Sequence, residues 1–585
     1  ALFTGAFLIF LFVLIGVASG SSEPEPYIRD GSVLTLELSG GLPARATGDP
    51  FQELLSGTSK TPVSVASLRS VLEKAAADDR IAGIWMQVNM LNASWSNLQE
   101  AHALLTQFRE SGKFIYASTN DLGFDETGYY LSTAADSVFG APEAYFEFNG
   151  FVVQVSHYTE LLDRIGVKPE IFRVGKYKSA VEPFLVPESS PESREQLGAL
   201  LTRFKAEFVE KVSAKTGKTV VELDALMDEL YTGSVADGVE AGLLDGIAYP
   251  EDMERMILAR LGEEEDDELE TVGFSRYARV SRKKAGLESV DSENRIAVIY
   301  ASGTIMPDLG QDSPFNGASG ITYGDIDDIL DDMDGQEAVK AVVLHIDSPG
   351  GSAATSELIW NRLRETAKEK PVVAVMGPVA ASGGYYIAMG ADTVVASPNT
   401  ITGSIGIFRT MFDAEELMND RLGITFSEIQ TDPHADILQM TRPLTNAERR
   451  ALQRVTDQGY ERFLQVVSMS RGMSRDEVHE VAQGRVWTGQ DALSAGLVDV
   501  MGDLQTGLSL AAERAGIETY QLDVYPRKKD VFEALFDSGN EAVVRWVGAM
   551  LPKPATDLLR TGADGLGVLK ENGNMALLPY HITVR

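Results

Sequence analysis

Two residues of this chain could together cleave an acyl bond. Ser382 sits among small residues in Ala380-Ala381-Ser382-Gly383-Gly384-Tyr385-Tyr386, and Lys178 lies in Gly175-Lys176-Tyr177-Lys178-Ser179-Ala180. A serine hydroxyl is a weak nucleophile until a base takes its proton, and a neutral lysine amine can be that base. Taken singly, neither residue is distinctive. Ser382 could be a helix N-cap, and a lone lysine is ordinarily a solvated surface charge. What joins them is an internal repeat. The Gly-Tyr-Tyr and Ala-Asp anchors that begin at Gly128 return at Gly384, 256 residues later, and TGSVADGVEAGLLD from Thr232 returns as TGQDALSAGLVD from Thr488 at the same spacing. At that spacing Ser382 faces Glu126, while Lys178 falls opposite Ala435, 257 residues on. One copy has kept the serine without the lysine, the other the lysine without the serine. The split points to a Ser–Lys site assembled across two related domains.

Other residues fit around that pair. Asp347-Ser348-Pro349-Gly350-Gly351 follows an apolar strand and precedes a helical stretch. Its two glycines permit backbone conformations that other residues resist, so the loop can aim N–H groups into a cleft. Together with the N–H of Gly383, Gly350 and Gly351 are the candidate oxyanion hole. The first copy has Asn92-Ala93 at this point. Ser404, in Thr402-Gly403-Ser404-Ile405-Gly406, could orient the lysine amine or could simply be a turn serine. Lys176 is the second choice of base. An unperturbed lysine titrates near 10.4, so holding one neutral at pH 7 costs about 4.6 kcal/mol. Burial can supply a shift of that size.

The elements that must position these residues alternate in type. IAGIWMQV, LQEAHALLTQFRESG and FIYAS read as strand, amphipathic helix and strand, and AVVLHI, SELIWNRLRETAKEK and PVVAVMG repeat the order. Such alternation predicts parallel sheets with helices packed on them. The expected division is a membrane anchor over residues 1–20, a first repeat over 31–261, a charged linker over 262–294, a second repeat over 295–525 and a helical tail over 526–585. The anchor rests on Ala1–Ala18, uncharged and strongly apolar and long enough to reach about 27 Å. A cleaved signal peptide is the competing reading of that run, and either would export the remainder. The linker rests on GEEEDDELE followed by SRYARVSRKK.

Composition excludes whole classes of chemistry. The 585 residues carry no cysteine and a formal net charge of −35. Disulfides, thiolate nucleophiles and zinc–thiolate sites are therefore out, and no HExxH pair is present. Nucleic acid is not expected as a partner, because its phosphates would be repelled. No G-x-S-x-G elbow occurs either, which removes the α/β-hydrolase reading.

The segments SPGG, AASGGYYIA, TGSIGIF and YKSAVEPF, taken together, resemble the signal peptide peptidase A family, also called protease IV, in its long tandem-domain bacterial form. The resemblance covers nearly the whole chain after the apolar run. It implies α/β architecture with a crotonase/ClpP-like fold in each repeat. It also implies a Ser–Lys serine peptidase with Ser382 as nucleophile, Lys178 as general base and Ser404 bonded to the lysine, and no cofactor or metal. A homotetramer anchored in the bacterial inner membrane is implied too, its catalytic domains on the periplasmic side and signal peptides its substrates. Two other readings stay open from sequence: a crotonase-type acyl-CoA enzyme, which would need a carboxylate acid/base, and a non-catalytic scaffold.

Overall fold

The computed structural model describes residues 25–46, 63–119, 122–229, 233–288, 291–308, 320–527 and the backbone strand at 575–577. The apolar run expected to be an anchor lies outside these residues. Among the described residues no helix is long and apolar enough to cross a membrane.

Each repeat is built on one twisted sheet. In the first, the strands run in the order Gly246–Ile247, Ser137–Gly140, Phe114–Thr119, Ile81–Asn92, Ser32–Gly41 and Thr271–Gly273, all parallel. In the second, Thr393–Ala396, Val372–Ala381, Val339–Ser348, Arg295–Ser302 and Gln521–Tyr525 repeat that order, again parallel. Both faces of these sheets are covered by helices, so the central strands are continuous apolar runs and not alternating ones. AVVLHI is buried along its whole length. The helices supply one apolar stripe each. Val65–Ala77 buries Val65, Leu68, Val71, Leu72 and Ala75, the spacing of a single helix face. Two long helices, Pro191–Thr216 and Asn446–Arg471, occupy matching places in the repeats. Ser190 and Thr445 cap their N-termini, and each ends on a left-handed glycine, Gly217 or Gly472.

Within the stretch 262–294 the acidic residues 262–268 are exposed, as their charges suggest, but the residues that follow are part of the first repeat and not linker. Thr271–Gly273 pairs with Ser32–Gly41 as the outermost strand of the first sheet, the place that Gln521–Tyr525 takes in the second. Phe274 and Tyr277, just beyond it, are buried, and Lys74 Nζ donates to the carbonyls of Ala278 and Val280 at 2.7 and 2.9 Å. A three-residue strand is too short to leave a periodic signature, and the acidic run before it masks it. The first repeat therefore extends past Leu261. The tail beyond residue 526 lies mostly outside the described residues, but its Met575–Leu577 is a strand and not a helix.

The repeats are joined by a second kind of pairing. Lys168–Val174 of the first runs antiparallel to Ile407–Asp413 of the second, from Val174 opposite Ile407 to Lys168 opposite Asp413. Arg449 of the second repeat closes an ion pair with Glu170 on the same strand. This ladder delivers the loop after Val174 into the other repeat.

Candidate active site

Ser382 stands between the strand Val372–Ala381 and the helix Gly383–Ala388. Its backbone has φ 56° and ψ −112°, a conformation that costs a non-glycine residue on the order of 1–3 kcal/mol and persists only where surroundings enforce it. Here the Ser382 N–H donates to Gly403 O at 2.8 Å and Tyr386 N–H donates back to Ser382 O at 2.9 Å. The side chain makes no capping bond to the helix that follows, so the N-cap reading of this serine does not describe it.

Lys178 arrives from the first repeat and is fully buried. Its loop is pinned on three sides. Tyr177 N–H donates to Gln483 O at 3.0 Å. Gln196 donates to Tyr177 O at 3.1 Å and to Ser179 Oγ at 2.6 Å, and accepts the Val486 N–H at 3.0 Å. Gly484, at φ +79°, lies directly against the lysine backbone. Lys178 Nζ then sits 2.7 Å from Ser382 Oγ, 3.0 Å from Ser404 O and 3.0 Å from Ser404 Oγ. A neutral amine has two N–H donors and one lone pair. Two donations to Ser404 leave the lone pair for the Ser382 hydroxyl. Burial pushes the Lys178 amine well below the ordinary lysine range, which is the protonation state that geometry requires. Lys176, the alternative base, is exposed, its amine over the Tyr177 ring at 5.0 Å.

Ser404 follows the strand Ile401–Gly403 and is also left-handed, at φ 51°, with its N–H donating to Arg485 O at 2.7 Å. That turn places its carbonyl and its hydroxyl on the same amine.

The glycines divide their roles. Gly350 N–H donates to Ser348 Oγ at 3.2 Å, so this residue shapes the turn and does not offer a free donor. Gly351 and Gly383 come together: a Cβ on Gly383 would meet the Gly351 nitrogen at 3.1 Å. A Cβ on Gly351, at φ +153°, would lie 1.9 Å from Ile305 O, so only glycine fits there. These two N–H groups can receive a developing oxyanion.

The first repeat has closed its corresponding cleft. Glu126 is buried at the start of the helix Glu126–Ser132, and Oε1 accepts the N–H groups of Asn149 at 2.9 Å and Gly150 at 3.1 Å. Burial pushes its carboxyl up to about 7. In the second repeat the lysine joins the serine to the Ser404 turn. In the first, the carboxyl reaches the matching turn by itself. Ala435, opposite Lys178 in the repeat, is exposed.

Sequence reasoning missed Gln196, Gln483 and Gly484, which hold the lysine loop. They carry no chemistry of their own. Gly484, in Ala482-Gln483-Gly484-Arg485, is distinguishable only by what packs on it.

Two α/β repeats that bring a serine of one and a lysine of the other together in a buried pair have the arrangement a serine hydrolase can use. The model of peptidase family S49 matches residues 107–259 and 364–518, one segment in each repeat. "Serine protease SPPA, chloroplastic" of Arabidopsis thaliana is 34% identical over 496 residues, 84% of this chain and 71% of that one. "Protease 4" of Salmonella typhi is 32% identical over 597 residues, 97% and 93% of the two chains. Among solved structures, a mutant ClpP1 from Listeria monocytogenes aligns over 36% of this chain and 94% of its own at 15% identity, with a TM-score of 0.24, too slight a likeness to argue from. The chain belongs to peptidase family S49 and is a serine protease. The acyl-CoA enzyme and scaffold readings give way to it.

Proposed function

We propose that the chain is an endopeptidase for extended apolar peptides, cleaved signal peptides among them, working through a Ser382–Lys178 dyad. The observation that carries the reading is the 2.7 Å contact between Lys178 Nζ and Ser382 Oγ at a fully buried amine. Ser382 Oγ attacks the scissile carbonyl as its proton passes to Lys178, and the N–H groups of Gly351 and Gly383 hold the oxyanion. Lys178 returns the proton to the leaving amine, and water activated by the same lysine then hydrolyses the acyl-enzyme. Ser404 holds the amine in line throughout. The motifs shared with the signal peptide peptidase A family support the substrate class. The Ala1–Ala18 run supports membrane anchoring with the catalytic domains on the periplasmic side.

Assembly into a ring of identical copies, four in the family the motifs resemble, has support in the repeat itself. Residues 151–157 correspond to the paired strand Ile407–Asp413, and 425–431 to Lys168–Val174. Both are exposed or half-exposed outside any ladder, with Val152 61% and Ile429 102% exposed. A next copy can supply each with the partner it has inside the chain. Labelling by a fluorophosphonate tests the chemistry. It should modify Ser382 and be abolished in Lys178→Ala; labelling undiminished in that variant refutes the dyad.

A further inference from the structure

Arg485 lies in the seam between the repeats, and its main chain and side chain serve different parts of the site. Its carbonyl accepts the Ser404 N–H at 2.7 Å. Its guanidinium lies between two rings, with Cζ 4.9 Å from the centre of Tyr177 in the first repeat and 4.5 Å from that of Trp487 in the second. Nη1 also donates to Glu195 Oε1 at 2.9 Å and to the Tyr177 hydroxyl at 3.3 Å, and that hydroxyl donates to Glu195 Oε2 at 3.1 Å. Each ring stands next to a residue of the site. Tyr177 immediately precedes Lys178. Trp487 packs on Gly403, where a Cβ would meet its ring at 2.7 Å, and the Gly403 carbonyl accepts the Ser382 N–H. A planar guanidinium between aromatic faces is attracted to both, and its fork still reaches a carboxylate at the edge. Exposure falls from 23% at the Arg485 side chain to 8% at Tyr177 and none at Lys178, so the stack is an outer layer over the lysine loop.

We infer that Arg485 is a positioning residue for the Ser382–Lys178 pair: stacked on Tyr177, its guanidinium holds the lysine loop down on the second repeat and keeps water from the amine. The inference rests on the dyad reading above and concerns a residue that touches neither reacting atom. Lys178 Nζ bonds to Ser382 and Ser404, and burial is what holds it below the ordinary lysine range. The charged groups around the loop are Arg173, which donates to Lys178 O at 3.3 Å, Glu182 at 3.7 Å from Arg173, Lys176 over the Tyr177 ring, and Glu195. None of them bonds to Nζ, so loss of the stack acts on the amine through water and distance. An amine that water reaches holds its proton more firmly and becomes a base only at higher pH.

The pH dependence of peptide hydrolysis by the full chain tests this. Arg485→Ala should lower kcat about tenfold or more with KM little changed, as a displaced base predicts. The midpoint of the rise in kcat/KM should move upward by about one pH unit as the amine becomes wetter. Guanidinium ion at millimolar concentration should restore part of the rate to Arg485→Ala and none to Lys178→Ala. Arg485→Lys keeps a charge for Glu195 but loses the flat stack, and should move the midpoint in the same direction. A loss of rate with the midpoint unmoved and no rescue would make Arg485 a structural residue only and overturn the inference. Unchanged kcat and midpoint in either variant would overturn it too. If Arg485→Ala does not fold, Arg485→Lys decides on the same two readings. An unaltered chain that does not label with fluorophosphonate sinks the dyad reading, and this inference with it.

Discussion

Gly484 and Lys178 meet backbone to backbone across the junction of the repeats: a Cβ on Gly484 would lie 2.6 Å from the Lys178 nitrogen and 2.6 Å from its Cβ. The proposed base, carried by one repeat, is thus seated on a glycine of the other. Gly484 also has φ +79°, where an L side chain is strained. Gly484→Ala should therefore lift the lysine from Ser382. A displacement of about 1 Å can cost about a hundredfold in rate. The expected outcome is a fall in kcat of about that size, with KM little changed and fluorophosphonate labelling slowed in parallel. Normal kinetics would show that the lysine does not depend on this contact.

With Lys178 as the proposed base, its protonation should set the pH profile. The amine must be neutral to accept the serine proton, and burial holds it well below the ordinary value of 10.5. The rate kcat/KM should rise with pH and level off below that ordinary value. Lys178→Met should lower kcat/KM by at least about 10³-fold at every pH, leaving what the oxyanion donors alone provide. Lys178→Arg should be equally inactive, because a guanidinium does not give up its proton in this range. A profile that still climbs beyond pH 10.5 would place the essential base elsewhere.

Ser404 tests the orienting role apart from the base itself. Its hydroxyl and carbonyl each lie 3.0 Å from Lys178 Nζ. Ser404→Ala removes one of these acceptors and leaves the other, so the amine gains a rotation it lacked. A neutral hydrogen bond of this kind contributes about 1 kcal/mol, so its loss should cost roughly 2- to 10-fold. The loss should appear in kcat, with KM retained. Ser404→Thr, which keeps an acceptor, should recover part of it. If both variants matched the unaltered enzyme, the lysine would need no such guide.

What could be read from sequence followed from the duplication. Aligned on itself, the chain showed Ser382 without a lysine and Lys178 without a serine, and the parallel sheets followed from apolar runs separated by amphipathic helices. Three features left no such trace. The closing strand Thr271–Gly273 is three residues long and sits behind an acidic run. Gly350 and Gly351 look alike in sequence, and only the Ser348 hydroxyl separates the bonded N–H from the other. The ladder between Lys168–Val174 and Ile407–Asp413 is a pairing of strands 239 residues apart at their starts, which local pattern does not encode.

The unpaired counterparts of that ladder predict how copies associate. Residues 151–157 and 425–431 stand in the places of strands that are paired within the chain, and Phe426 and Ile429 expose 47% and 102% of their surfaces. In the ring proposed above, replacing Ile429 with Pro or Asp should dissociate the copies toward single chains, read by light scattering. Lys178 and Ser382 already meet within one chain, so the dissociated form should still label with fluorophosphonate. Mixing Ser382→Ala with Lys178→Ala chains should correspondingly restore no activity. Recovery on mixing would show that the dyad forms between chains.

Glu126 gives a stability test in a part of the molecule that does no chemistry. Its carboxyl is buried and pushed up to about 7 from an unfolded value of 4.5. Between those two values the folded chain binds a proton that the unfolded chain does not, so stability falls as pH rises through the interval. Below 4.5 both states are protonated and no penalty remains; above 7 the penalty is complete, up to about 3 kcal/mol for a gap of this size. Glu126→Gln keeps an oxygen for the Asn149 and Gly150 N–H groups and removes the charge. At about pH 8 it should raise the unfolding temperature by several degrees, and the gain should vanish by about pH 4. Peptidase activity should be unaffected, because Ser382 and Lys178 work in the other cleft. A variant less stable than the original at the higher pH would mean that Glu126 is held as a carboxylate by more than the two N–H groups.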